Sequence, residues 1–154
     1  MATVQSSLSQ TYGPTYGAGI SRQVITLPAI VAVATTNIDN ANDDFGLLWV
    51  PKGFVVTGAC FNATDMDTNG SPALVWDVGD ADDEDRLFAA ITTGQAAGTS
   101  VALAATGLLH KYTARTRVVA YCNTAAGTAA AGTLKFWLQG FVDENFDTTA
   151  LTLA

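Results

Sequence analysis

Thr133-Leu-Lys-Phe-Trp-Leu-Gln-Gly-Phe-Val142 is the stretch that decides the fold. Leu134, Phe136, Leu138 and Val142 fall on one parity, and Lys135, Trp137, Gln139 and Phe141 on the other. A β-strand turns successive side chains to opposite faces, so the pattern predicts a strand with one face in a core and one face out. Residues 73–78 repeat the device, with Leu74, Trp76 and Val78 alternating with Ala73, Val75 and Asp77. Leu74, Trp76, Val78, Leu134, Phe136 and Leu138 are therefore expected in the core.

Outward from these two runs, strand-like segments recur near 22–34, 46–50, 54–62, 86–92, 100–104, 107–113 and 116–123. Their spacing of about ten residues is that of a sandwich or barrel. Pro51-Lys-Gly, Asn69-Gly-Ser-Pro and Gly79-Asp-Ala-Asp-Asp-Glu-Asp supply turn chemistry between them. One helical turn fits within 81–90, because acidic residues suit a helix N-terminus. Composition decides against more helix: two glutamates and three lysines, the residues that fill exposed helix faces, stand against 21 threonines and 14 glycines. Most of the 26 alanines sit in stretches punctuated by Gly and Thr, such as Thr124-Ala-Ala-Gly-Thr. The expectation is an all-β chain, a jelly-roll-like antiparallel β-sandwich over residues 21–142. An extended N-terminal arm over 1–20 precedes it, and a C-terminal tail over 143–154 follows. At 154 residues, one domain with a real core is the natural size.

Charge narrows function. Seven Lys and Arg against fourteen Asp and Glu give −7. Nucleic-acid binding needs a basic face to displace counterions, and an anionic membrane would repel this chain, so neither partner is expected. No apolar run reaches the ~20 residues of a membrane span, and the first residues lack the basic and apolar regions of a signal peptide. Cys60 and Cys122 are too few for a disulfide framework and read as buried, reduced thiols.

No catalytic residues and no cofactor are expected. His110 is the only histidine, no GxSxG elbow accompanies it, and neither GxxxxGK(S/T) nor GxGxxG is present. Eight of the fourteen acids lie between Asp65 and Asp85. Asp65, Asp67 and Asn69, with Gly70, match the first half of a calcium loop, but Trp76 stands where the closing glutamate belongs. They are weak metal candidates beside the plainer reading, a turn and a solvated acidic loop. The outward aromatics are candidate interface residues: Trp137 and Phe141 flanked by Lys135, Tyr121 beside Arg117, and Trp49. Tyr12 and Tyr16 join them from the arm, which either reaches a neighbouring subunit or folds back on its own domain.

Several segments together resemble a family of small proteins that tailed bacteriophages encode beside the major capsid protein. They are Val50-Pro-Lys-Gly-Phe-Val-Val-Thr-Gly-Ala, Ala63-Thr-Asp-Met-Asp-Thr, Ser71-Pro-Ala-Leu-Val-Trp-Asp-Val-Gly-Asp, Ala105-Thr-Gly-Leu-Leu-His-Lys-Tyr-Thr-Ala and Ala131-Gly-Thr-Leu-Lys-Phe-Trp-Leu-Gln-Gly-Phe-Val. The resemblance covers residues 48–142 and carries no catalytic signature. It implies a head decoration, or cement, protein on the virion exterior that bridges major capsid protein subunits and assembles with itself, as a trimer. Two other classes stay open on the residues alone: a carbohydrate-binding or adhesin module with the aromatics as sugar platforms, and a tail or neck component.

Overall fold

Eight strands make up almost all the regular structure of the computed structural model, which describes residues 24–143 and 145. Tyr12, Tyr16 and the rest of the expected arm lie outside the described residues, as does most of the tail. In chain order the strands are β1 (Ile25–Val33), β2 (Asp44–Val50), β3 (Phe54–Ala63), β4 (Val75–Asp80), β5 (Asp83–Ile91), β6 (Gly98–Ser100), β7 (Thr116–Thr124) and β8 (Gly132–Val142).

They form two four-stranded sheets, ordered β1-β8-β3-β6 and β2-β7-β4-β5, with every pairing antiparallel. First pairs with last, second with seventh, third with sixth and fourth with fifth. That nesting is a long hairpin rolled over on itself, the double Greek key of a jelly roll. The expected fold class is the observed one.

Burial follows the sequence parity. Leu134, Phe136 and Leu138 of β8 are fully buried, as are Leu74, Trp76 and Val78. Trp76 fills the centre, edge-on to Phe45 at 5.5 Å and tilted against Phe61 at 6.2 Å, and Phe61 in turn meets Phe88 at 6.4 Å. Aromatic rings prefer such edge and tilted contacts because their faces are electron-rich and their rims are not. At Gly140 a methyl group would run into the Val55 carbonyl oxygen and the Phe54 ring, so close packing of β8 on β3 requires glycine there.

Three local expectations fail. The strand expected at 100–104 lies earlier, as the short β6 at Gly98–Ser100, and residues 101–104 form no strand. No helical turn forms within 81–90: β4 and β5 make a tight hairpin instead, and the acids Asp83, Glu84 and Asp85 lie on an edge strand. Charge on an edge strand discourages pairing with other chains, which accounts for acids at that position. The strand expected at 107–113 shrinks to an isolated bridge between Lys111 and Val55. Leu109 adopts φ 60, a left-handed conformation that breaks an extended run.

Candidate interaction faces

The outer face of the β1-β8-β3-β6 sheet is nearly free of charge. Lys135 is the only charged residue in its four strands. Register places Trp137 between Pro28 of β1 and Cys60 of β3, and Lys135 between Ile30 and Asn62. Ile30 is 73% exposed and Trp137 38%, while Cys60 and Phe141 are half-buried. Lys135, Trp137 and Phe141 therefore share one face, with Ile30 and Pro28 as members that sequence parity did not reveal.

Trp49 and Tyr121 lie on the opposite face of the sandwich, the outer surface of the β2-β7-β4-β5 sheet. Trp49 stands opposite Arg117, is 49% exposed, and stacks under the Arg115 guanidinium at 4.4 Å. Such a cation–ring contact keeps an exposed indole partly covered. Tyr121 stands between Asp44 and Asp77. With Asn42, Glu84, Cys122 and Asn123 these residues line a groove of about 250 Å³. Burial, then the Glu84 and Asp44 carboxylates, push the Tyr121 phenol above its ordinary pKa.

The metal candidates have other occupations. Asp67, 2% exposed, accepts from the backbone N–H groups of Ala73, Leu74 and Gly127 on Oδ2 at 2.7, 3.0 and 2.9 Å. Its Oδ1 takes the Thr128 N–H at 2.9 Å and the Asn69 N–H at 3.3 Å. Asp65 Oδ1 accepts from the Asp67 N–H, and Asn69 Oδ1 from the Ser71 N–H. The motif ties the β3–β4 loop to the β7–β8 loop. Burial raises the Asp67 pKa, but the backbone donors outweigh it and hold the carboxyl far below its usual range. Among the described residues no group of three or more His, Cys, Asp or Glu side chains is arranged to hold a metal ion.

His110 belongs to a part-buried ion cluster. Arg86 donates through Nε to Asp80 Oδ2 at 2.6 Å and through Nη2 to Asp80 Oδ1 at 3.3 Å, and its Nη1 lies 3.3 Å from His110 Nδ1. The imidazole stands edge-on to Tyr112 at 4.7 Å. The Tyr112 hydroxyl, close to the Asp80 carboxylate, completes no well-formed hydrogen bond. Burial and the Arg86 charge both lower the His110 pKa. The groups gathered around the imidazole are thus the Arg86 guanidinium, the Tyr112 phenol and the carboxylate that Arg86 holds. Their geometry is that of a structural ion pair at one end of the sandwich.

Solved phage capsids contain chains of the same shape. A chain of the cyanophage Pam1 capsid asymmetric unit aligns at TM-score 0.68 and 30% identity, over 82% of this chain and 90% of that one. The chain belongs to a family of phage capsid proteins. A chain of the Ralstonia phage GP4 capsid aligns at TM-score 0.69 and 26% identity, over 79% of this chain and 85% of that one. The Helicobacter pylori bacteriophage KHP30 capsid offers the same fold at TM-score 0.55 and 14% identity, over 79% of this chain and 93% of that one. No family model and no curated protein matches the sequence.

Membership in a capsid family accords with a structural role in the virion. Among the described residues no helix is long and apolar enough to cross a membrane.

Proposed function

We propose that this member of the capsid family is a head decoration, or cement, protein: a non-enzymatic clamp on the outer surface of a tailed-phage head that bridges neighbouring major capsid protein subunits. The observation that carries the reading is the outer face of the β1-β8-β3-β6 sheet, where Lys135 is the one charged strand residue and Ile30, Pro28 and Trp137 are presented to solvent. Exposed apolar side chains gathered on one face mark a protein contact. Burying each large one contributes ~1.5–3 kcal/mol, and many copies on a shell multiply a modest bond. An excess of acid over base suits a surface turned away from packaged DNA. The resemblance adds clustering into trimers, and the arm over 1–20 supplies reach to a neighbouring subunit.

Particles carrying Trp137→Ala should hold fewer copies, or inactivate at a lower temperature, while the isolated variant melts close to the parent. Particles that bind the variant as tightly as the parent would remove this face from the contact. Unfolding of the free variant would mean that the face is core.

A further inference from the structure

The outer face of the β2-β7-β4-β5 sheet is polarised along its strands. At one end Trp49 stacks with Arg115, and Arg117 stands opposite Trp49 in the register. At the other end Asp44, Asp77 and Glu84 surround Tyr121 in the groove. Arg117 and Tyr121 are four residues apart on β7, so the two ends are separated by about 13 Å at the ordinary strand rise. Val119 lies midway between them, flanked by Gly46 and Gly79. A methyl at Gly46 would collide with the Arg117 guanidinium and one at Gly79 with the Asp83 carbonyl oxygen, so Arg117 and the β4–β5 hairpin close over Val119, which is buried.

We propose that this face docks a second copy of the chain, antiparallel across a two-fold axis near Val119. In that arrangement the Trp49–Arg115 end of each copy covers the acidic groove of the other, so the contact occurs twice. A two-fold contact uses one patch on both partners, and the patch must therefore be complementary to its own rotated image. A face with the Trp49–Arg115 pair at one end and carboxylates at the other meets that condition. The same charges select this partner. A chain of net charge −7 repels its copies in general, and antiparallel docking here places opposite charges together in both halves. This face is distinct from the one assigned to the capsid contact on the other sheet, and a two-fold contact would join three-fold clusters to one another.

The test is the oligomeric state of the purified full chain, by sedimentation velocity and native mass spectrometry at low and high salt. The parent should pair, as dimers or as paired three-fold clusters, and the pairing should weaken as salt rises. Arg115→Glu and Glu84→Arg each alter an exposed side chain, and each alone should weaken self-association by about tenfold or more. Mixed together, the two variants should form heterodimers as readily as the parent forms homodimers, because both contacts then pair opposite charges. Circular dichroism melts confirm that each variant is folded. A parent that stays monomeric, variants that associate like the parent, or a mixture that remains monomeric would each overturn the proposal. Association as trimers unaffected by either reversal would do the same. Trp137→Ala should leave this dimer intact, which separates failure here from failure of the capsid contact.

Discussion

Asp67→Asn is the sharpest probe of what holds the loops in place. The carboxylate accepts five backbone N–H groups, three of them on Oδ2. Asparagine keeps one acceptor oxygen and puts an NH₂ group where the other stood. With the oxygen retained toward Thr128, the N–H groups of Ala73, Leu74 and Gly127 lose their acceptor and face two further donors. A buried donor left unsatisfied costs about 1–3 kcal/mol, and partial loop relaxation recovers some of that, so the expected loss is about 3–5 kcal/mol. Against a typical stability of about 5–15 kcal/mol this is a large fraction, equivalent to a melting point lower by roughly 10–20 °C.

Acid supplies an independent check on the same carboxylate. The folded-state pKa of Asp67 is depressed, so its contribution is complete above the ordinary aspartate value of about 3.9 and is lost as pH falls below it. The stability gap between parent and variant should therefore narrow as pH drops from about 6 towards 2.5. Urea titrations across that range measure it. A variant within 1 kcal/mol of the parent at neutral pH, or a gap that does not change with pH, would refute the reasoning.

Other substitutions test the remaining buried groups. Arg86→Met leaves the buried Asp80 carboxylate without its charged partner and should cost about 3–5 kcal/mol in urea unfolding. The depressed His110 pKa means that the unfolded state binds the proton more readily. Stability should thus fall as pH drops below the ordinary histidine value of about 6.5, and His110→Gln should flatten that part of the profile. Of the two thiols, half-buried Cys60 should react with a thiol reagent in the folded protein. Buried Cys122, its pKa pushed up to about 11 by burial, should react only after denaturation.

The fold was legible because period two is a local signal. Residues 133–142 and 73–78 announced their inward faces from side-chain type alone, and the structure buries those side chains. β1 was legible as a strand but not by face: Ile25-Thr-Leu-Pro-Ala-Ile-Val-Ala-Val is apolar on both parities, so nothing local marks Ile30 as the side chain that points out. The strand expected at 107–113 failed where a left-handed residue, Leu109, interrupts an otherwise strand-like run. The acids at 83–85 suggested a helix start, although charge guards a sheet edge as readily as it caps a helix.

The candidate site was legible to the same degree and for the same reason. Trp137 and Lys135 pointed outward by parity. The DxDxN turn resembled a calcium loop because both arrangements turn side-chain oxygens inward over a few residues. What fills the centre differs: backbone N–H groups, three from Asn69, Ala73 and Leu74 nearby and two from Gly127 and Thr128, about 60 positions away, where no local pattern could show them.

The distribution of charge joins these observations to function. In the β1-β8-β3-β6 sheet the strands hold one charged residue, whereas those of the other sheet hold six acids and two arginines. Removing an uncharged surface from water costs little and gains its apolar area, so such a face can be buried against a partner of varied detail. A charged face is buried without penalty only where each ion meets its complement, since an unpaired charge taken from water is expensive. The first kind of face suits a clamp that must settle on slightly different subunits around a curved shell. The second suits a partner whose charges are fixed in advance, and a copy of the same chain is one whose complementarity the sequence itself specifies.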